Sequence, residues 1–451
     1  MSEKKRLCYI HTMGCQMNVH DSEQMAVLLK RHGGYDQTDD VEQADLVIVN
    51  TCSVREKAEQ KAHSFIGRMR KLKRENPDMI VGVAGCLAQQ WGELFIKRSP
   101  HLDFVCGTHN FHRIAEIVDR TQRTSRPVIE TDFHKSVRSI GVYAPPQPGT
   151  VHAFVTIMQG CNNFCSYCIV PYLRGREESR DWRDIVNEVT TLADDGVKEV
   201  TLLGQNVNSY GQTLDDDVNF SRLIGYIHDI KGIERIRFTT SHPKDLSDGL
   251  IDCFHGLPKL CEHIHLPVQA GSNRILKRMN RGYTVEEYMR KVEKLHERCH
   301  GISVTSDIIV GFPGETEEDF QKTIDLMEKV RFDNTFSFQY SDRPGIASVG
   351  YAEKVPMEVK KRRLVVLQSR QKEITLEKNQ AAEGAVVDVL VDGVSKNSAR
   401  DVTGRTRTNR IVNFEGDISL IGQVIDVKIT TAYMHSLRGV AVPGGRFHNV
   451  G

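Results

Sequence analysis

The stretch Met158–Arg180, MQGCNNFCSYCIVPYLRGREESR, sets Cys161, Cys165 and Cys168 in a C-x3-C-x2-C spacing, with Phe164 before the middle thiol and Tyr167 before the last. Three thiols this close are one short of a closed tetrahedral zinc site. They are equally one short of a four-iron cluster held by protein alone. Such a loop can leave one iron open to a small molecule. Two plainer readings compete with it: a zinc knuckle lacking a ligand, and three reduced thiols in a core.

The loop lies in a chain of 451 residues, 39% hydrophobic and 26% charged, long enough for several domains and too apolar to be disordered or fibrous. No apolar run approaches the ~18 residues of a membrane span. The N-terminal MSEKKRLCYIHTMGC has too short an apolar stretch for a secretory signal, so a cytoplasmic protein with no membrane contact is expected. Eleven cysteines in that setting favour metal binding over disulfides. A net charge of +1 means that any nucleic acid must be met by local patches. Two exist: Arg55–Glu75, with eight basic residues against three acidic, and Lys396–Arg410, with five against Asp401 alone. Either could equally be a solvated face.

Residues 1–145 alternate short apolar runs (Leu7–Met13, Asp45–Asn50, Met79–Ala84, Leu102–Cys106) with helical patterns at Asn18–Arg31, Arg55–Arg74, Ala88–Arg98 and Phe111–Val118. This βα alternation predicts an α/β domain with a parallel sheet, whose ligand crevice lies beyond the strand carboxyl ends. Cys15, Cys52 and Cys86 each follow one of the first three strands, so all three are expected on that edge. Glycines before Cys15 and Cys86 permit tight turns, and helix N-termini behind the thiols favour thiolates and an anionic cluster. The pattern suggests a second three-cysteine iron–sulfur site, against the alternative of three unrelated core thiols. Cys106, ending the fourth run, is a geometrical candidate for a fourth ligand.

Proline and glycine concentrate at Ala144–Gly149 (APPQPG) and mark a boundary. Across residues 150–345, strand patterns at His152–Ile157, Lys198–Leu203, Ile236–Thr240, His263–Val268, Val304–Val310 and Asn334–Tyr340 alternate with helices and predict a partial (βα)6 barrel. The cysteine loop follows the first of these strands, where barrel chemistry resides. Later strand ends are unusually polar, so Tyr167, Gln205, Asn206, Ser241, His242, Gln269 and Asp307 are candidates for holding a bound cofactor. Residues 346–378 form a charged helical connector. Within 379–445, runs at Val386–Val394, Val402–Val412 and Val424–Thr431 are β-branched and alternating, predicting a small antiparallel β-barrel. Its cationic hairpin offers Lys396, Arg400, Arg405, Arg407 and Arg410 to RNA phosphates.

This order of segments resembles the methylthiotransferase family of radical S-adenosylmethionine (SAM) enzymes over essentially the whole chain. The resemblance is carried by GCQMN (Gly14–Asn18), NTCSVRE (Asn50–Glu56), GCLAQ (Gly85–Gln89), GCNNFCSYCIVPYLRGRE (Gly160–Glu177), LLGQNVNSY (Leu202–Tyr210) and FTTSHP (Phe238–Pro243). The sequence departs from the family pattern at Ala270, Asp342 and Ile346. The resemblance implies two 4Fe–4S clusters and SAM. A cluster on Cys161, Cys165 and Cys168 would cleave SAM to a 5′-deoxyadenosyl radical, and one on Cys15, Cys52 and Cys86 would deliver sulfur, the two facing each other across a domain boundary. The implied substrate is a tRNA carrying isopentenyladenosine next to the anticodon, methylthiolated at carbon 2. An aryl C–H of that kind is beyond the reach of a side-chain base. A low-potential electron donor, flavodoxin or ferredoxin, is also implied, and a monomer is expected. Family sites of three cysteines leave Cys106 a spectator. Two alternatives are a different substrate (a ribosomal-protein aspartate or threonylcarbamoyl-adenosine tRNA), which the GCQMN and NTCSVRE spellings argue against, and a non-enzymatic iron–sulfur or zinc RNA-binding module.

Overall fold

Six short strands pair in parallel through the first third of the chain of this computed structural model: β1 (Arg6–Met13), β2 (Tyr35–Gln37), β3 (Leu46–Thr51), β4 (Ile80–Gly85), β5 (Phe104–Cys106) and β6 (Val128–Glu130), in the order β2-β1-β3-β4-β5-β6. The structure describes residues 5–53, 56–124, 126–133, 145–147, 149–396 and 398–443. Arg55 and the side chains of Glu56 and Lys57 in the first basic run lie outside the described residues. So do Val54 of the NTCSVRE motif, Ala144 and Pro148 of the proline-glycine stretch, and positions 444 and 445.

Side chains alternate across a strand, and β3 shows the consequence. Leu46 and Ile48 enter one core with Met25, Leu29, Phe104 and Ile114. Val47 and Val49 enter another with Phe65, Ile66, Val81, Val83 and Phe95 on the opposite face. Both faces of the central strands are thus covered, which is why they read as unbroken apolar runs. The edge strands β2 and β6, three residues each, are too short to show a pattern. Gly82 is where Phe104 crosses β4, because a Cβ there would land inside the phenyl ring.

Six further strands, β7 (His152–Thr156), β10 (Glu199–Leu203), β11 (Arg235–Phe238), β12 (His263–His265), β13 (Ser303–Val310) and β14 (Asn334–Gln339), form two three-stranded sheets, β11-β10-β7 and β12-β13-β14. An isolated parallel bridge joins Ile236 of β11 to Leu260, on the segment that leads into β12. Helices Trp182–Asp194, Phe220–His228, Asp248–Gly256, Val285–Arg298 and Glu317–Val330 alternate with these strands. Between β7 and β10, a two-residue antiparallel pair, β8 (Met158–Gln159) and β9 (Glu178–Ser179), closes the base of the cysteine loop. Pro356 stands at the N-cap of a long helix, Met357–Gln380.

The C-terminal strands β15 (Val386–Val394), β16 (Asp401–Thr406), β17 (Ile411–Glu415), β18 (Val424–Ala432) and β19 (Leu437–Ala441) close into a barrel around Val389, Val391, Val402, Phe414, Val427 and Leu437. The run Val402–Val412 contains the turn of the expected hairpin: Thr406 and Arg410 pair across it, and Asn409 takes φ +66°. Two buried arginines hold this barrel to the six-stranded unit. Arg235 donates to the carbonyls of Arg405 (2.6 Å) and Asp388 (3.3 Å). Arg237 donates to those of Arg407 (2.9 Å) and Thr406 (2.8 Å) and pairs with Glu199 (2.9 Å).

Contacts divide the chain into two compact units. One comprises Met1–Pro145 with Thr156–Asn162 and Cys168–Arg180, and the other Pro146–Val155, Asn163–Tyr167 and Asp181–Gly451. Among the described residues, no helix is long and apolar enough to cross a membrane. Replacing Gly82 by alanine forces a methyl into the Phe104 ring and is expected to cost about 1–3 kcal/mol, read as a lower denaturant midpoint. An unchanged midpoint would mean that Phe104 can swing clear.

Candidate active site

The order β2-β1-β3 reverses direction between β1 and β3, and in open α/β sheets ligands sit at that switch point. Cys15 ends the loop after β1, Cys52 follows β3, and Cys86 follows β4. Two glycines let these loops crowd together. A Cβ on Gly14 (φ +149°) would meet the Cys52 side chain at 2.7 Å, and one on Gly85 (φ +92°) would meet the Thr51 carbonyl at 2.7 Å. Behind them Asn50, fully buried, donates to the Asn18 carbonyl (2.8 Å) and to Ser22 Oγ (2.9 Å), while Asn18 Nδ2 donates to Asn50 Oδ1 (3.2 Å). Asn18 Oδ1 in turn lies 3.4 Å from both the amide nitrogen and the thiol of Cys15. The two asparagines thereby fasten the first cysteine loop to the second.

Cys15 and Cys86 both lie in the field of Arg174. A hydrogen bond from Cys52, helped by the charge of Arg174, pulls the solvent-exposed Cys15 down to about 6. Burial raises Cys86 instead, opposed by the Arg174 charge. Arg174 ends the short helix Val170–Arg174, directly after Cys168. Its Nε donates to Cys86 Sγ at 3.4 Å and its Nη2 to Asp21 Oδ2 at 2.7 Å, with both charged side chains buried. Cys106 stands apart, in the apolar cluster with Cys8, Ile48 and Phe104. Burial drives its thiol far above the usual range, in keeping with a spectator.

In the C-x3-C-x2-C loop, Gly160 (φ +78°) lies so close to the Arg176 backbone that no Cβ fits, and the Cys161 amide donates to the Gly175 carbonyl (3.2 Å). Residues 163–167 are held by the segment after the helix Asn273–Arg278. Asn280 donates to the Phe164 carbonyl (3.1 Å), and Ser166 donates through its amide to Met279 O and through its hydroxyl to Arg278 O. Arg281, buried, points Nη1 at Cys165 Sγ (3.3 Å) and at the Tyr167 hydroxyl (3.4 Å). Its Nη2 donates to Pro267 O (2.7 Å) and its Nε to the Tyr283 hydroxyl (3.0 Å). Among the described residues no three Cys, His, Asp or Glu side chains close on a single metal ion. What the two cysteine sets share is a buried arginine on one thiol.

The candidate cofactor residues fall into linked groups. Tyr167 shares Arg281 with Cys165, and His242 packs edge-on against Tyr283 at 5.7 Å. His242 N and Asn208 Oδ1 join the loops after β11 and β10 (3.2 Å), and Asn206 donates to Asp245 (2.7 Å). Asn206 Oδ1, Ser241 Oγ and His242 Nε2 are buried without a hydrogen-bond partner, the condition expected of groups that await a ligand. Gln269 (φ +74°) donates its amide to the Asp307 carbonyl (2.9 Å), and the Asp307 side chain lies 3.5 Å from His265. Gln205 is half-buried on the loop after β10.

The cationic hairpin differs from its sequence reading. Arg407 forks onto Glu262 (2.7 Å) and the Leu260 carbonyl (2.8 Å), and Arg410 pairs with Asp333 (3.0 Å). These two guanidiniums dock the small barrel and are not free for phosphate. Arg405 is half-buried, bonded to Asn409 (3.2 Å) and 3.8 Å from Asp392. Lys396 and Arg400 remain exposed. Asp342, one of the family departures, is braced by the Tyr340 hydroxyl (2.7 Å) and Lys354 (2.6 Å). Sequence reading also passed over Arg174, Asp21 and Arg281. Arg174 had a visible signal, a charge closing the apolar run IVPYL, whereas Arg281 had none.

A C-x3-C-x2-C loop after the first strand of a six-stranded βα unit defines the radical SAM class, and residues 155–327 match the radical SAM superfamily. Residues 7–107 match Uncharacterized protein family UPF0004, and residues 380–442 match the TRAM domain. The chain is 57% identical over 435 residues to the tRNA-2-methylthio-N(6)-dimethylallyladenosine synthase of Syntrophus aciditrophicus (strain SB), covering 96% of this chain and 94% of that one. It is 52% identical over 437 residues to the synthase of the same name from Geotalea uraniireducens (strain Rf4), covering 97% and 99%. The chain belongs to this synthase family. In fold it is similar to the cobalamin- and [4Fe-4S]-bound radical SAM methyltransferase TsrM from Kitasatospora setae (TM-score 0.57, 15% identity, 76% of this chain and 74% of that one). It is also similar to the cobalamin-dependent radical enzyme OxsB (TM-score 0.53, 13% identity, 83% and 62%).

Burial, with the charges of Arg281, Lys244 and Lys291, pushes His242 down to about 2. The folded value lies below the unfolded 6.5, so below that pH the unfolded chain binds the extra proton and stability falls as pH falls. The His242→Gln variant is expected to lose this component, about 1.4 kcal/mol per pH unit below ~6.5. Denaturant titrations of both proteins from pH 7 to 5 check it, and parallel slopes would refute it.

Proposed function

We propose that this chain installs a methylthio group at carbon 2 of N6-isopentenyladenosine in tRNA, next to the anticodon. The observation that carries the reading is the pair of cysteine triplets, each with one thiol against a buried guanidinium. The donor chemistry fits iron–sulfur ligation: thiols only, cationic surroundings suited to anionic clusters, and buried polar atoms left over nearby. Cys161, Cys165 and Cys168 would hold one 4Fe–4S cluster, and Cys15, Cys52 and Cys86 the other, each set leaving one iron without a protein ligand. When bound, the first supplies reductive cleavage of SAM to the 5′-deoxyadenosyl radical, and the second supplies the sulfur.

The residues around the first set position and shield. His242 accepts the Lys244 amide at Nδ1 (3.2 Å) and is neutral, so its proton sits on the buried Nε2, a donor aimed at a ligand acceptor. Asn206 Oδ1 offers an acceptor and Ser241 Oγ either role. With Tyr167, Gln205, Gln269 and Asp307, these are the residues we assign to SAM. Lys396 and Arg400, with Arg405 in part, are assigned to tRNA phosphates. A flavodoxin- or ferredoxin-type donor supplies the electrons, and we infer a cytoplasmic monomer.

Anaerobically reconstituted protein is expected to carry about eight irons and to form 5′-deoxyadenosine and methylthiolated tRNA with SAM and a reductant. Cys161→Ala should abolish both products, whereas Cys15→Ala should abolish only the methylthio product. Loss of neither sinks the reading. Neutralising Lys396 and Arg400 should each lower the salt slope of tRNA binding by roughly 0.7–0.9. Neutralising Arg407 should destabilise the barrel contact without moving that slope, and a slope change in Arg407 alone would reverse the assignment.

A further inference from the structure

Two guanidiniums are buried against cysteine sulfur, and their counter-charges differ. Arg174 at Cys86 is paired with buried Asp21 at 2.7 Å. Arg281 at Cys165 donates to one thiol, one carbonyl and two tyrosine hydroxyls, and among the described residues no carboxylate pairs with it. A buried cation without an anion is costly, and what stabilises it is negative charge arriving at its partner. At the first cysteine set the Cys165 sulfur is the partner through which a cluster would bring such charge.

We propose that Arg281 is a positioning residue for the reducing electron. Its uncompensated charge makes the cluster on Cys161, Cys165 and Cys168 the easier of the two to reduce, while Asp21 offsets part of the same effect of Arg174 at Cys15, Cys52 and Cys86. The inference rests on the reading above that each set holds a cluster. The step is a one-electron transfer. A low-potential flavin or iron–sulfur donor loses one electron, the first site gains it, and no bond or proton moves. Adding a negative charge beside a fixed positive one is favourable in a poorly polarisable interior, and cluster potentials follow local charge and hydrogen bonds to sulfur. The asymmetry keeps the electron at the site that cleaves SAM and leaves the sulfur-bearing site oxidised.

The test is a potentiometric titration followed by electron paramagnetic resonance, on full-length, anaerobically reconstituted protein without SAM. A Cys15→Ala/Cys52→Ala/Cys86→Ala background reports the first site, and Cys161→Ala/Cys165→Ala/Cys168→Ala the second. In the first background, Arg281→Gln should lower the reduced-to-oxidised ratio at the parent's midpoint about tenfold, equivalent to 59 mV for one electron. Arg281→Lys, which keeps the charge, should stay near the parent. In the second background, Asp21→Asn should raise the ratio by a similar factor. An Arg281→Gln midpoint equal to the parent's overturns the proposal, as does an Asp21→Asn midpoint that does not move. If Arg281→Gln takes up no iron, the Asp21→Asn result alone decides. Fewer than about four irons in either background refutes the two-cluster reading instead, whatever the midpoints.

Discussion

Moving a guanidinium out of water costs several kcal/mol unless its charge and its donors are met. Arg174 is buried at the end of a five-residue helix, and the groups that meet it are Asp21 and the Cys86 sulfur. Asp21 lies on the helix that Cys15 caps, Cys86 begins the helix after β4, and Arg174 descends from the loop that carries Cys161 and Cys168. One ion pair therefore ties three remote stretches of chain into a single site. Losing either partner would leave the other charge buried and unpaired, which is the more expensive outcome. The asparagine pair behind the thiols works on the same terms, since Asn50 has no water to fall back on and must bond to Asn18 and Ser22.

Much of this was legible in the chain. Alternating apolar runs and helical patterns located the central strands of the six-stranded sheet, because strands covered on both faces have no choice but to be apolar. The positions of Cys15, Cys52 and Cys86 after three such runs placed them on one edge. What could not be read was whatever depends on pairing partners far apart in sequence. The strand order that puts Cys15 and Cys52 at the switch point is one case, and the match of Arg281 to a thiol more than a hundred residues earlier is another. The cationic hairpin shows the opposite error. Counting charges along the chain treated five basic residues as equivalent, whereas Arg407 and Arg410 are matched to Glu262 and Asp333, which lie on other segments.

Arginine recurs in the second unit as a mechanical element. Arg235 and Arg237 project from β11 into the backbone of the small barrel, Arg407 and Arg410 reach back, and Arg363 anchors the long helix through Glu315 (2.7 Å). A planar fork with several donors suits this task better than an ammonium group, because it can satisfy two carbonyls or a whole carboxylate at once.

That bolting has a consequence for how a long, flexible polymer would be read. A TRAM barrel fastened from both sides is a fixed fence post and not a swinging arm. If Lys396 and Arg400 grip RNA phosphates as proposed, they do so at an offset from the strand ends of the six-stranded unit that the arginine contacts fix. An RNA whose target base lies at the wrong span from its gripped phosphates would have to bend, and it would bear the elastic cost of doing so itself. On that reading, the stiffness of the RNA becomes part of what is recognised.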